Sequence, residues 1–227
     1  VGGYKSFLEP LLEGLVIHYE QEVISINLEN KIVVTSNGVS YNYTNLINTI
    51  PLPELIPLLG EVPSHVSDAS QELKFTSGAI ISLGFRKPEL ADKLWYYIYD
   101  LDIPPSRVYS PSMKSPDNCP DGCSSIQAEY YFDWKKNINK TEIMAQTINK
   151  FIEIGLFTED DILVKDIRIE KYANVIFDHS IYEKRDCIMG YLRSKRIFSA
   201  GCFGEWDYFW SDQSLSSGIR VAKSVYG

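Results

Sequence analysis

Hydrophobic and polar positions follow two different periods along this chain of 227 residues. Alternation with a period of two predicts β-strands, whereas apolar residues spaced three and four apart predict helices. The runs that predict strands are 23–28, 31–36, 39–43, 46–50, 79–85, 95–99, 125–132, 163–170, 172–177 and 197–200. Helices are predicted at 6–15, in a short stretch ending at 59, just after Thr158, and at 141–154, 182–192 and 212–225. Because strands outnumber helices and mostly do not alternate with them, the pattern predicts an α+β fold.

Turn residues separate the first three predicted strands. Glu29-Asn30 stands between the first and second strands, and Asn37-Gly38 stands between the second and third. Such short polar connections favour hairpins, so these strands are predicted to form a β-meander.

Composition narrows the classes of partner. The chain has 22 Lys plus Arg against 30 Asp plus Glu, a net charge of −8, and it contains no basic run. This balance argues against a nucleic acid or an anionic membrane surface as a partner. No apolar stretch approaches the roughly 20 residues that a membrane-spanning helix needs, so no span is predicted.

The cysteines predict no metal site. Cys119 and Cys123 flank a Pro-Asp-Gly turn, and neither a matching second pair nor a histidine cluster follows them. Because no secretory segment is present, we expect reduced thiols and a cytoplasmic location.

The segment 201–218 combines features that are typical of a ligand-facing corner. It follows the apolar run 197–200, and Gly201 and Gly204 frame an aromatic-rich turn before a polar helix start near Asp212. A strand that feeds a glycine turn and a helix N-terminus lets the backbone approach an anionic or electron-rich ligand. An ordinary strand–turn–helix connection explains the same spacing, so the pattern alone leaves both interpretations open.

Three motifs in this order resemble a known family. They are INTIPL at 47–52, WYYIYDLDIPPSRVYSP at 95–111, and GCFGEWDYFWSDQS at 201–214. With the helix, the meander and the terminal strand–helix unit, they resemble the FAD-dependent amine-oxidase and protoporphyrinogen-oxidase superfamily, which includes the UDP-galactopyranose mutases. Two departures stand out: no G-x-G-x-x-G occurs in the chain, and Cys202 stands where the mutases carry Arg.

The resemblance implies a division into two parts. Residues 1–60 and 195–227 would be the remnant of a Rossmann-like FAD-binding domain, and 61–194 a substrate-binding domain built on an antiparallel sheet. Because the dinucleotide fingerprint is missing, we expect the chain to begin downstream of it, as the C-terminal portion of a longer protein. We also expect the isolated chain to bind FAD weakly or not at all.

The resemblance also implies site residues, and no catalytic residue or metal ligand is among them. The residues implied for FAD binding are Val23, Thr49, Pro51, Gly201, Gly204, Trp206, Asp212, Gln213 and Ser214. The N–H groups of the last two would point into an open cleft with Trp206 or Tyr208 on its wall. The residues implied for substrate binding are Arg107, Tyr172 and Tyr208. Ordinary packing residues and a solvated loop arginine remain the alternatives at these positions.

Two functions therefore remain open. The first is the C-terminal portion of a FAD-dependent oxidoreductase that acts on a small molecule, with a nucleotide sugar as one candidate because the mutases use one. The second is a non-catalytic ligand-binding or scaffold domain with an incomplete flavin site. The coding sequence upstream of Val1 would discriminate between them.

Overall fold

A computed structural model of the chain describes residues 2–90 and 92–227. Its helices are α1 (Gly3–Leu8), α2 (Leu52–Leu58), α3 (Ser64–Gln71), α4 (Pro111–Lys114), α5 (Lys140–Glu153), α6 (Ile181–Ser194), α7 (Gly201–Glu205) and α8 (Ser211–Tyr226). Its strands are β1 (Val23–Asn27), β2 (Ile32–Thr35), β3 (Ser40–Asn42), β4 (Leu46–Asn48), β5 (Phe75–Phe85), β6 (Trp95–Tyr97), β7 (Arg107–Tyr109), β8 (Ser124–Asp133), β9 (Ile162–Val175) and β10 (Ile197–Ser199). Short 3-10 turns lie at Glu9–Leu12, Pro116–Asn118 and Glu159–Asp161. The predicted α+β class is confirmed.

The chain divides into two compact units. The first, called here the sheet unit, comprises Val1–Val16 and Thr76–Ala173. The second, called the parallel-strand unit, comprises Ile17–Phe75 and Asn174–Gly227. These bounds describe packing within the chain, and the functional division inferred from the resemblance stays a prediction.

The sheet unit is built on five strands in the order β6-β7-β8-β5-β9. The pairings β6–β7, β7–β8 and β8–β5 are antiparallel. Alternate residues on β5 and β8 face a core that also contains Ile148 and Phe151 of α5. The start of α5 is capped by the Asn139 side chain, which accepts hydrogen bonds from the N–H groups of Thr141 and Glu142. The other face of the sheet carries polar and aromatic side chains.

The parallel-strand unit contains two small sheets. Strands β1, β2 and β3 form the predicted antiparallel meander, with Gly38 at φ +83° in its second turn. Strands β4 and β10 form a two-stranded parallel sheet. Helix α3 packs against α6, and α7 packs against both α2 and α8. The hydrophobic interior of the unit includes the fully buried Ile188, Leu192, Ile197 and Trp206.

The structure corrects the predicted elements in several places. The runs 163–170 and 172–177 belong to one strand, β9, rather than two. Helix α3 was not predicted, because its sequence SHVSDASQ has few apolar positions and its buried side depends on contact with α6. The predicted glycine turn after β10 contains the short helix α7, although two glycines lower its helix propensity.

Among the described residues, no helix combines the length and the apolar character that crossing a membrane requires.

Candidate functional site

The corner after β4 and β10 brings several predicted cofactor residues together. The two strands are parallel, with Ile197 opposite Leu46 and Ser199 opposite Asn48, and the Ala200 N–H donates to the Asn48 carbonyl at 2.8 Å. The carboxyl ends of both strands therefore meet at one edge, which is where open parallel sheets bind ligands.

Two predicted cofactor residues follow β4 at this edge. Thr49 comes directly after the strand and is exposed. Pro51 is the N-cap of α2, and its carbonyl accepts the N–H groups of Glu54 and Leu55.

The two glycines of the corner have different structural roles. A Cβ added to Gly204 would lie 2.7 Å from the Asn48 carbonyl oxygen and 3.2 Å from Thr49 Cα, so glycine allows α7 to pack on the end of β4. Gly201 has a φ of +78°, and a Cβ there would meet no atom within 4 Å. Gly201 therefore turns the chain, and the space beside its backbone is open.

A polar network ties this turn to α8. The Gly201 N–H donates to Ser217 Oγ at 2.9 Å, and the Ser217 hydroxyl donates to Glu205. Arg220 Nη2 pairs with Glu205 Oε1 at 2.9 Å. Because Ser217 is completely buried, the position of Gly201 relative to the first turns of α8 is fixed by direct hydrogen bonds.

The start of α8 agrees with the prediction in position and differs from it in detail. The helix begins at Ser211, one residue before the predicted Asp212. The Ser214 N–H donates to the Trp210 carbonyl at 2.9 Å, so it is not one of the available donors that we expected. The Gln213 side chain accepts the Trp210 N–H at 2.8 Å and caps the helix. Only the first three N–H groups lack an intrahelical acceptor, and the Asp212 carboxylate lies beside them.

The structure also corrects the expected exposure of Trp206. Its indole is completely buried and packs edge-to-face on Phe75, with 6.1 Å between ring centroids, so it does not line an open cleft. Tyr208 is 55% exposed on the connection to α8. A flavin contact by Trp206 stays a prediction, and its observed role is packing.

Cys202 is held inside the same corner. Its thiol donates to the Asp207 carbonyl at 2.8 Å, and the Asp207 carboxylate pairs with Arg185 Nη1 at 2.9 Å. The position at which the resemblance to the mutases implies an Arg holds a small thiol in this chain, and the nearby Arg185 is already paired.

Val23 belongs to the antiparallel meander and not to the parallel sheet of the corner. It begins β1 of the meander, opposite Thr35, and the register shifts between Val23 and Ser25. Its predicted contact with the FAD adenine is not tested by this placement.

Arg107 lies on strand β7 rather than in the predicted loop. Its Nε and Nη2 donate to the two carboxylate oxygens of Glu129, both at 2.9 Å, and Tyr131 donates to the same carboxylate. The Glu129 side chain is only 7% exposed. Hydrogen bonding to Glu129 raises the pKa of Arg107. A phosphate that approached this guanidinium would compete with a buried carboxylate.

The other two predicted substrate residues lie on different elements. Tyr172 is a half-buried residue of β9, with Lys171 Nζ 5.1 Å from its ring centroid. Strands β7 and β9 are not neighbours in the sheet, and Tyr208 belongs to the parallel-strand unit. The three residues are thus not brought together within either unit.

A cavity in the sheet unit was missed by sequence reasoning. It has a volume of about 930 Å³ and is lined by α1, by the ends of β5 and β8, by the segment 109–123 and by the start of β9. In its wall Tyr109 donates to Gln127, which donates to Ser82 Oγ at 2.8 Å. Burial raises the pKa of Tyr109. The lining residues come from four separate stretches of sequence, so no local motif could have indicated them.

The part of the chain that the structure describes contains no group of three or more His, Cys, Asp or Glu side chains arranged to hold a metal ion.

Comparison with known proteins gives one family and several structural neighbours. The profile of the flavin-containing amine oxidoreductases matches residues 1–226. A crystal structure of reduced UDP-galactopyranose mutase is similar with a TM-score of 0.87 and 22% identity, over 98% of this chain and 49% of that one. The crystal structure of a putative protoporphyrinogen oxidase from Exiguobacterium sp. 255-15 is similar with a TM-score of 0.76 and 16% identity, over 98% of this chain and 51% of that one. The crystal structure of the PF1083 protein from Pyrococcus furiosus is similar with a TM-score of 0.58 and 14% identity, over 90% of this chain and 46% of that one.

Because the sequence identities of these neighbours lie between 14% and 22%, the likeness shows the fold alone. The chain spans about half the length of each of them, at 49%, 51% and 46%. No curated protein sequence matches the chain. The profile covers nearly the whole chain, and the strand–glycine–helix corner has the geometry described above. The chain therefore belongs to the family of flavin-containing amine oxidoreductases.

Proposed function

We propose that this chain is the C-terminal portion of a FAD-dependent oxidoreductase of the amine-oxidase and protoporphyrinogen-oxidase type. The observation that carries the proposal is the meeting of Thr49, Pro51, Gly201 and Gly204 at the carboxyl edge of the parallel pair β4–β10. The family match and the half-length coverage of the flavoprotein neighbours support it.

The residues at this corner fit a flavin. Thr49 is exposed, the backbone of Gly201 has open space beside it, and the first N–H groups of α8 lack helical acceptors. A planar group that accepts hydrogen bonds suits these N–H groups and the open space beside Gly201. When FAD is bound, it supplies the electron-transfer chemistry of the reaction.

The parts of the chain have different tasks in this proposal. Residues 1–60 and 195–227 complete a FAD-binding domain whose dinucleotide fingerprint lies upstream, and 61–194 bind the substrate. The substrate is a small molecule, and a nucleotide sugar is the first candidate because a UDP-galactopyranose mutase shares the fold. The active protein is cytoplasmic in this proposal and needs neither nucleic acid nor a membrane.

The test compares two proteins, the 227-residue chain and the same chain extended by its natural upstream coding sequence. The extended protein is expected to purify with about one FAD per chain, and the short chain is expected to bind added FAD weakly or not at all. An extended protein without a dinucleotide fingerprint and without flavin would contradict the proposal and favour the non-catalytic binding domain. Product analysis with UDP-galactopyranose and the reduced extended protein then tests the nucleotide-sugar assignment.

A matched pair of variants tests the corner itself. Gly201→Val in the extended protein places a branched side chain in the open space beside the turn and is expected to lower FAD content. Gly155→Val is the control, because Gly155 has the same left-handed conformation, with a φ of +77°, and the same open space as Gly201 but follows α5 in the sheet unit. Equal FAD content in both variants would show that the corner does not contact the cofactor.

A further inference from the structure

The cavity of the sheet unit has the dimensions of a small-molecule site. Its volume is about 930 Å³, near the upper end of the roughly 300–1,000 Å³ that ligand pockets span. Aromatic and aliphatic side chains dominate its walls, among them Tyr4, Phe7, Leu163 and Val164. Such a surface binds the apolar part of a ligand.

Charge is distributed unevenly around this cavity. Among the described residues that line it, Lys114 is the one with a formal charge, and no carboxylate is present in the lining. The Lys114 ammonium lies 5.9 Å from the Tyr4 ring centroid, and it forms no ion pair within the described residues. In a chain with a net charge of −8, an unpaired cation beside an apolar cavity without carboxylates favours an anionic ligand.

We propose that this cavity binds a small organic monoanion with an apolar, ring-bearing body and one carboxylate-type group, which pairs with Lys114 at the rim. One lysine matches one negative charge, whereas phosphoryl groups with two or more charges are usually met by several cations or by an arginine fork. Arg107 cannot serve here, because Glu129 occupies its fork. The site goes beyond the proposed function and exists whether or not the protein binds a flavin.

The test uses the 227-residue chain and two probes of the same shape, 2-naphthoate and the uncharged 2-naphthalenemethanol. Affinities are measured by calorimetry, and the binding site is located by amide chemical shifts. The carboxylate is expected to bind about fivefold more tightly than the alcohol, the size of effect that an exposed ion pair gives. The carboxylate probe is expected to change the amide chemical shifts of Tyr109 and Gln127, which line the cavity.

Three variants separate the ion pair from general effects of charge. Lys114→Gln is expected to abolish the preference for the carboxylate, and Lys114→Arg is expected to keep it. Lys140→Gln removes an exposed lysine of the same unit that does not line the cavity, and it should change neither affinity. An unchanged thermal transition of each variant shows that it is folded.

Several results would overturn the proposal. They are equal affinity of the wild-type chain for both probes, no binding of either probe, shifts outside the cavity, or the same loss in Lys140→Gln as in Lys114→Gln. None of these measurements involves flavin, so their failure leaves the FAD proposal standing, and failure of the FAD proposal leaves this site untouched.

Discussion

The two units differ in how completely each one buries its sheet. In the sheet unit five strands and α5 enclose a continuous core in which Ile81, Phe85 and Ala128 are completely buried. The parallel sheet of the other unit has only two strands of three residues each. Parallel sheets in proteins usually have both faces covered, yet Ile47 of β4 is 41% exposed.

Both units leave apolar side chains exposed. Leu215 and Ile219 of α8 are 48% and 51% exposed, and Trp95 and Val164 of the sheet unit are 56% and 59% exposed. The units therefore differ in their interiors, because the sheet unit has a five-stranded sheet with one continuous core and the other has two short parallel strands. The predictions below test how separate these two cores are.

The largest effects are expected from removing one large buried side chain in each unit. Phe151→Ala in the sheet unit and Trp206→Ala in the parallel-strand unit should each lower the free energy of unfolding by about 3–5 kcal/mol, because both side chains are almost fully buried. Hydrogen exchange should rise mainly in β5, β8 and α5 for the first variant and in α6 and α7 for the second. Tyr99→Ala, at an exposed side chain, is the control. Equal increases throughout the chain in both variants would show one cooperative core.

A smaller loss is expected when the ion pair between Arg107 and Glu129 is broken from the arginine side. Arg107→Met leaves the Glu129 carboxylate, which is only 7% exposed, without its bidentate partner and should cost about 3 kcal/mol of unfolding free energy, measured by urea denaturation. Glu170→Ala removes an exposed charge on β9 and should stay within about 0.5 kcal/mol of wild type. The double variant Arg107→Met, Glu129→Leu should recover much of the loss, because no unpaired charge is then buried. A double variant as unstable as Arg107→Met would contradict this account.

Sequence reasoning succeeded where the determinants are local. The meander was predicted from Asn37-Gly38, and the structure places Gly38 at φ +83°. Helix α5 was predicted at 141–154 from its periodicity, and the start of α8 was predicted within one residue. In each case a few neighbouring residues specify the element through turn and helix-ending preferences.

Sequence reasoning failed where contacts between residues that are far apart in the sequence determine the structure. Arg107 has its partner 22 residues away, on the adjacent strand. The cavity combines Tyr4 with Val164, and Gly204 of α7 packs closely on the end of β4. Pairings of this kind depend on strand register and packing, which a local pattern in one sequence does not encode.

The next effect concerns the fit of α7 on β4. Gly204→Ala places a Cβ 2.7 Å from the Asn48 carbonyl oxygen, so we expect a loss of about 1–3 kcal/mol from overpacking. Gly190→Ala, in the interior of α6 with open space around it, is expected to stabilise the protein by about 0.5–1 kcal/mol, because alanine is the better helix former. Thermal denaturation measures both effects. A Gly204→Ala variant as stable as Gly190→Ala would show that the contact between α7 and β4 does not hold the corner together.

The smallest effects are expected in acid, from the carboxylate in each unit whose pKa is lowered most. The hydrogen bond from Lys87, with those from Thr158, lowers the pKa of Asp161 in the sheet unit to about 2. The hydrogen bond from Lys74, with those from Ser180, lowers the pKa of Asp178 in the parallel-strand unit. Since both folded-state values lie below the unfolded value near 4, the contribution of each group to stability is complete above about pH 4 and is lost as the pH falls below it.

The matching variants assign this acid sensitivity to one unit or the other. Asp161→Asn should weaken the pH dependence of stability between about pH 4 and 2 in the sheet unit, and Asp178→Asn should do so in the parallel-strand unit. Hydrogen exchange at several pH values, followed separately in β5 and in α6, measures the two effects. Both side chains are partly exposed, 14% for Asp161 and 25% for Asp178, so salt should reduce the two effects. If either variant changed the acid response of β5 and α6 equally, the two units would respond to acid as one, and the difference between their cores would not extend to their stability.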